Sequence, residues 1–201
     1  MGISIRDSSG SAAHTGSSTP ADSATVSRLV DYAWFLHYVR RDYDRAEAMY
    51  EWVIIADPNN ANNLGDYALF LVIVRRDYDR AETMYERAIA ADPNNAHNLG
   101  NYANFLKNVR RDYDRAETMY ERAITADPNN AHNLGNYAWF LENVRRDYDR
   151  AETMYERAIT ADPNNAHNLG NYANFLKNVR HDYDRAEEMY ERAVEVDLNH
   201  G

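Results

Sequence analysis

The stretch "NYANFLKNVRRDYDRAE", Asn101 to Glu117, already stands 35 residues earlier as "DYALFLVIVRRDYDRAE", Asp66 to Glu82. Its invariant part, "DYDRAE", begins at Asp42, Asp77, Asp112, Asp147 and Asp182, a strict spacing of 35. A fixed period of this length is the mark of a stacked repeat architecture. The register defines five units, 26–60, 61–95, 96–130, 131–165 and 166–200. Ahead of them, residues 1–25 are dominated by Ser, Thr, Gly and Ala, a composition that buries too little apolar surface to offset its ordering entropy. They are expected to form a flexible tail, in which Ile3 and Ile5 offer a short segment able to dock.

Each unit carries two amphipathic helices. In the third, Leu99, Tyr102, Ala103 and Leu106 follow the i, i+3, i+4, i+7 pattern, widened by Phe105 and Val109. The second helix repeats that spacing with Ala116, Met119, Tyr120, Ala123 and Ile124. Between them, Asp112 or Asp114 supplies an N-cap acceptor. "ADPNN" then ends the second helix, because Pro128 disfavours helical geometry in the residue before it, and Asn129 or Asn130 caps the next. Ala103 and Ala116 let the two helices approach closely. One hairpin cannot bury both its faces, so stacking supplies the core. The fold class is all-α: an α-solenoid of five stacked antiparallel helix hairpins.

These residues resemble the tetratricopeptide repeat family, over positions 26–200. Its small-residue and aromatic pattern is met by Leu99, Tyr102, Ala103, Leu106, Ala116, Tyr120, Ala123 and Pro128. The resemblance implies a right-handed superhelix that binds protein partners in a concave groove lined by the first helices. The unit is one residue longer than the family's usual 34, the extra residue expected within "VRRDYD". "LGNYANF" followed by "RAETMYERAI" also resembles the half-a-TPR variety of RNA-processing scaffolds.

At about 100° per residue, His97, Asn101, Asn104 and Asn108 fall opposite the apolar face, flanked by Gly100 and Lys107. Units two and three differ at six positions, and five of them, Asn62, Asp66, Leu69, Val72 and Ile73, belong to this stripe or its flank. Unit one departs further, with Val30, Asp31, Trp34, His37 and Tyr38. The core pattern is thus held constant while the outward stripe of the first two units turns apolar. Trp52 and Ile55, off the core face of the second helix in unit one, extend the apolar surface around that end, whereas Val53 falls on the core face. A contiguous apolar patch of that kind marks an interface. The candidate interface comprises Val30, Asp31, Trp34, His37, Tyr38, Trp52, Ile55, Asp66, Leu69, Val72 and Ile73. Glu188, Glu195 and Leu198 in place of Thr, Thr and Pro read as a solubilised opposite terminus.

The formal charge of −10 argues against nucleic acid and anionic membranes as partners. No apolar run approaches the ~20 residues of a membrane span. "MGISIRDSSG" lacks the apolar core of a secretory signal, so a soluble, cytoplasmic protein is expected. Without cysteine there is no disulfide or thiolate chemistry. His97, His132 and His167 recur one per unit without carboxylates at helical spacing, so they read as solvated groove residues rather than metal ligands. Identical copies rarely build an active site, and no phosphate loop or catalytic constellation is present. The chain is expected to be no enzyme and to need no cofactor. Lys107 and Lys177, interrupted by Glu142, are too few cations for the family's two-carboxylate clamp. The Asn101, Asn136 and Asn171 ladder, if more than a solvated face, would hydrogen-bond an extended peptide. Three functions follow. The first is a scaffold that self-associates, as a homodimer about a two-fold axis, through its first two units. The second is a module taking a peptide or amphipathic helix of another protein. The third, by half-a-TPR resemblance alone, is an RNA-processing scaffold. The near-identity of the units fits either a designed repeat scaffold or a recent duplication.

Overall fold

A computed structural model describes residues 23–200. The docking of Ile3 and Ile5 lies outside these residues, as does most of the expected tail. Helix α1, Ser23–Trp34, already begins inside the segment read as tail. Among the described residues ten α-helices form antiparallel pairs: α1 with α2 (Tyr43–Ala56), α3 (Ala61–Phe70) with α4 (Tyr78–Ala91), and α5 (Ala96–Phe105) with α6 (Tyr113–Ala126). The stack continues with α7 (Ala131–Phe140) against α8 (Tyr148–Ala161), and α9 (Ala166–Phe175) against α10 (Tyr183–His200). Among the described residues there is no strand.

The local signals act as the residue types require. Asp112 rather than Asp114 caps α6, accepting from the Arg115 backbone N–H at 3.2 Å. Asn130 rather than Asn129 caps α7, accepting from Asn133 at 3.1 Å. Asp127, ahead of Pro128, leaves the helix in an extended conformation. In α10 that signal is gone, since Leu198 stands in the proline's place, and the helix runs on to His200.

Every first helix ends in a π-turn, Leu106–Arg110 in unit three. The residue after it, Arg111, is left-handed at φ 56°, and both Arg111 and Asp112 donate their N–H to the Leu106 carbonyl. A π-turn closes over one residue more than an α-turn, which accounts for the 35-residue unit. The irregularity therefore begins at Leu106, earlier than "VRRDYD". It also turns the chain by less per residue than an α-helix, drawing the side chains of the last turn toward the core.

The core is one continuous layer. Leu99, Tyr102, Ala103, Leu106, Ala116, Tyr120 and Ala123 are all buried, and Met119, Ile124 and Val109 pack against them. Between units, Tyr102 stacks on Tyr85 at 5.4 Å and Phe105 tilts against the same ring at 5.7 Å. Charged groups rim this contact. Arg110 reaches Asp79 at 2.6 Å and Glu82 at 2.7 Å, while Arg115 reaches Glu82 at 3.0 Å and Glu86 at 3.2 Å and also donates to the Tyr102 hydroxyl. Exposed ion pairs are individually worth about 0–1 kcal/mol, so burial holds the units together and the charges fix their alignment.

A second inter-unit contact is made by groups that the helical wheel left outside the core. Asn98, Asn133 and Asn168 are buried and donate to the carbonyls of Ala61, Ala96 and Ala131 in the preceding unit, at 2.8–2.9 Å. Their amides lie directly on Gly65, Gly100 and Gly135, where a Cβ would come within 1.9–2.1 Å of the asparagine oxygen. Gly100 is therefore a buried packing position, not a flank of an outward stripe.

Candidate interaction surface

In unit one the groove side of α1 and its π-turn carries Trp34 and Tyr38, 45% and 52% exposed, with ring centroids 5.0 Å apart. Partial burial raises the pKa of Asp66 in unit two, against the opposing pull of His97 and of the nearby Trp34 indole. Asp66, Leu69 and Ile73 share one side of α3 and its π-turn, and Ile73 is 60% exposed. Asp31 is exposed, whereas Leu69 and Val72 are half-buried. Trp52 and Ile55 stand exposed on α2, and Val53 is buried.

Two residues of the expected surface are placed elsewhere. His37 is not on the exposed face: it is 8% exposed, stacked under Tyr38 at 4.0 Å, edge-on to Phe70 at 5.1 Å, with Nδ1 3.5 Å from the Tyr50 hydroxyl. The π-turn draws this register inward, and desolvation lowers the imidazole's pKa. Val30 occupies the register of the packing glycines. It is half-buried in a cleft with Ala56, Asn60 and Asn63, and Asn63 lacks the side-chain bond to the preceding unit that its three counterparts make. The first junction is thus built differently from the others.

The floor of the groove holds a feature that the helical wheel did not reveal. The tyrosine at one register of each second helix, buried in the first four units and half-buried in the fifth, turns its hydroxyl toward the groove. Tyr120 donates to Asn104 at 2.7 Å, Tyr155 to Glu142 at 2.8 Å and Tyr190 to Asn174 at 2.7 Å, while Tyr50 faces His37. In unit two the two partner registers are Leu69 and Val72, and among the described residues none accepts from Tyr85. Its ring forms the floor of a cleft of about 200 Å³ bounded by Leu69, Val72, Asn101, Asn104 and Phe105. The sequence signal was the loss of both polar registers above an unchanged tyrosine.

Farther along, the Lys107 ammonium lies 4.5 Å above the Trp139 ring, and burial pushes its pKa down to about 8. His97 and His167 each meet an asparagine amide, Asn101 and Asn171, at 3.0 Å. Burial and the two flanking histidines lower the pKa of His132. Among the described residues no group of three His, Cys, Asp or Glu side chains is placed to hold a metal ion. No helix among them is long and apolar enough to cross a membrane.

A rigid stack of hairpins with unlike side chains along one groove is a scaffold for protein interactions. The chain belongs to the tetratricopeptide repeat family, whose sequence profile matches residues 36–96 and 109–166, a second profile of that family matching 84–118. A Sel1-repeat profile matches residues 166–197. No curated protein sequence matches the chain. Similar solved structures include PilF of Pseudomonas aeruginosa, with TM-score 0.74 and 20% identity, covering 86% of this chain and 77% of that one. MamA from Desulfovibrio magneticus RS-1 superposes with TM-score 0.68 at 15% identity, over 90% and 98% of the two chains. YrrB, described as a TPR protein with an unusual peptide-binding site, gives 0.59 at 21% identity over 86% of each. At these identities the likeness is one of fold.

Proposed function

We propose that this chain is a non-catalytic scaffold that self-associates through the apolar surface of its first two units. The carrying observation is the clustering of Trp34, Tyr38 and Ile73, all at least 45% exposed, at registers where unit three has Asn104 and Asn108. Trp52 and Ile55 continue that surface onto the outer helix. A surface that wraps one end of the stack suits a globular partner better than one extended peptide, and a second copy closes it most simply about a two-fold axis.

The test restores the polar letters of unit three: Trp34→Asn, Tyr38→Asn, Leu69→Asn and Ile73→Asn. Burying each such side chain is worth roughly 1.5–3 kcal/mol, and about 1.4 kcal/mol is tenfold in affinity. Light-scattering mass should show dimerisation weakened by several orders of magnitude, with helix content unchanged. Trp139→Asn, at the same register in unit four, should leave the mass as it was. A quadruple variant that dimerises at full strength would exclude this surface.

The Tyr85 cleft supports a second reading, in which a segment of another protein enters the groove. An apolar side chain would fill the space between Leu69 and Val72 while a polar group beside it accepts from the Tyr85 hydroxyl. The oligomeric state of the wild-type chain discriminates the two: a chain that is monomeric at all concentrations would leave only this reading.

A further inference from the structure

The two ends of the stack are unlike ordinary caps. Phe35 is 44% exposed, although its counterparts Phe70, Phe105, Phe140 and Phe175 are exposed by no more than 3%. Tyr32 is 38% exposed against 3% for Tyr67, Tyr102, Tyr137 and Tyr172. In every later unit these two rings are covered by the second helix of the unit before. At the far end the reverse holds. Tyr190, the ring on which a following unit's Tyr and Phe would pack, borders an open cleft with Val194, which is 57% exposed, and nothing lies within 4 Å of a Cβ built on Gly170.

The charges at the two ends match as the interior ones do. Arg75, Arg110, Arg145 and Arg180 each bind the Asp and Glu of the preceding second helix, and Arg80, Arg115, Arg150 and Arg185 each bind its two Glu. Arg40 and Arg45 hold these registers in unit one, before which no helix stands among the described residues, and Arg45 turns back onto Tyr32 and Asp42. Asp184, Glu187 and Glu191 hold the acceptor registers on α10, and among the described residues no arginine pairs with them across a junction. One departure is itself matched. Arg87, Arg122 and Arg157 donate to the carbonyls of Pro58, Pro93 and Pro128. At the ends the corresponding letters are Trp52 and Leu198, apolar on both sides and 59% and 77% exposed.

We propose that copies of this chain stack end to end, the α1–α2 hairpin of one seated on α9–α10 of the next. The contact reproduces the ring and ion-pair registers of an interior junction and continues the solenoid across chains. Such a head-to-tail contact does not close on itself, so it yields open filaments rather than a fixed oligomer. Arg28 stands where interior units place the packing asparagine, so the end contact lacks the amide–glycine link. It is therefore weaker than an interior junction and reversible. Its ionic share also makes it weaken with salt.

This contact shares Trp52 with the surface proposed above but uses none of its four groove positions, and its test is run on the full chain carrying the four groove substitutions. One variant adds Arg40→Glu and Arg45→Glu, the other Glu187→Arg and Glu191→Arg. All four side chains are exposed, so circular dichroism should be unchanged. Sedimentation velocity of the parent chain should show mass growing with concentration. Each variant alone should associate at least tenfold more weakly, and mixing the two should restore growth, because each altered end now meets its complement. A parent chain that stays monomeric up to high concentration, or a mixture no heavier than its components, would overturn end-to-end stacking whatever the groove does.

Discussion

Gly135 and Gly170 hold the same register in successive units, yet their surroundings differ in one respect. Gly135 lies under Asn168, whose oxygen would sit 2.1 Å from an added Cβ, while Gly170 has nothing above it. Gly135→Ala must push the Asn168 amide off the Ala131 carbonyl, which it now reaches at 2.9 Å, leaving buried polar groups unpaired. That should cost about 1–3 kcal/mol in urea or thermal unfolding. Gly170→Ala removes a helical glycine with no clash and should stabilise by up to about 1 kcal/mol. Similar effects from the two substitutions would mean that the asparagine–glycine contact does not align the units. His37 supplies a pH dependence at the first junction. Unfolded, it takes up a proton near pH 6.5; folded, desolvation holds its pKa below that value. The unfolded chain therefore binds more protons as pH falls through this range, and stability falls with it. The contribution is complete above pH 6.5 and is lost on acidification, with a slope of at most about 1.4 kcal/mol per pH unit for one site. His37→Val, the residue found at this register in unit two, should flatten the stability profile between pH 7.5 and 5.5. His132, shifted the same way, would leave a smaller slope. An unaltered profile would place the titrating group elsewhere.

At the level of the helix, the left-handed residue after each π-turn is the least expected feature. Arg41, Arg76, Arg111, Arg146 and His181 all have φ between 53° and 59°, where an L side chain is strained. Glycine is absent from a position that would favour it. Arg111→Gly relieves the strain but frees the unfolded chain, so it should change stability by no more than about 0.5 kcal/mol. Arg111→Val, with a branched Cβ, should lose about 1–2 kcal/mol by the same unfolding measurement. Equal stability of the two variants would argue against a left-handed Arg111. This element also separates what was legible in the sequence from what was not. The helices, caps and core registers followed from apolar spacing and from Asp, Asn and Pro, because those signals act within one turn. The exposure of Trp34, Tyr38, Ile73, Trp52 and Ile55 followed from the same periodicity. The inward placement of His37 did not, since a wheel of uniform turn cannot register a π-turn. Nor did the burial of Gly100 and Asn98, which depends on the next unit closing over them. The unpartnered Tyr85 hydroxyl lies between these cases: its absent acceptors stand in the aligned letters, but only the packing aims the hydroxyl at them.

Across the whole molecule, the units after the first are joined by nearly interchangeable contacts. Stacked Tyr pairs at 5.4–5.6 Å, paired arginines and asparagine-on-glycine seats recur with the same partners at each junction from unit two onward. Burial is therefore distributed, and stability should approximate a sum over neighbours rather than depend on one centre. Interchangeable seats also bear on how the chain finds its native register. During folding, unit four can dock on unit two through the same ring, arginine and asparagine registers it uses on unit three, with the skipped hairpin looped out and its own faces left uncovered. Such a state is compact and helical, and it escapes only by undocking, so it acts as a kinetic trap. The first junction, with Val30 over Asn63 and His37 under Tyr38, has no counterpart elsewhere in the stack. It marks where counting starts, and a chain that zips from that end meets each unit in order and avoids the skip.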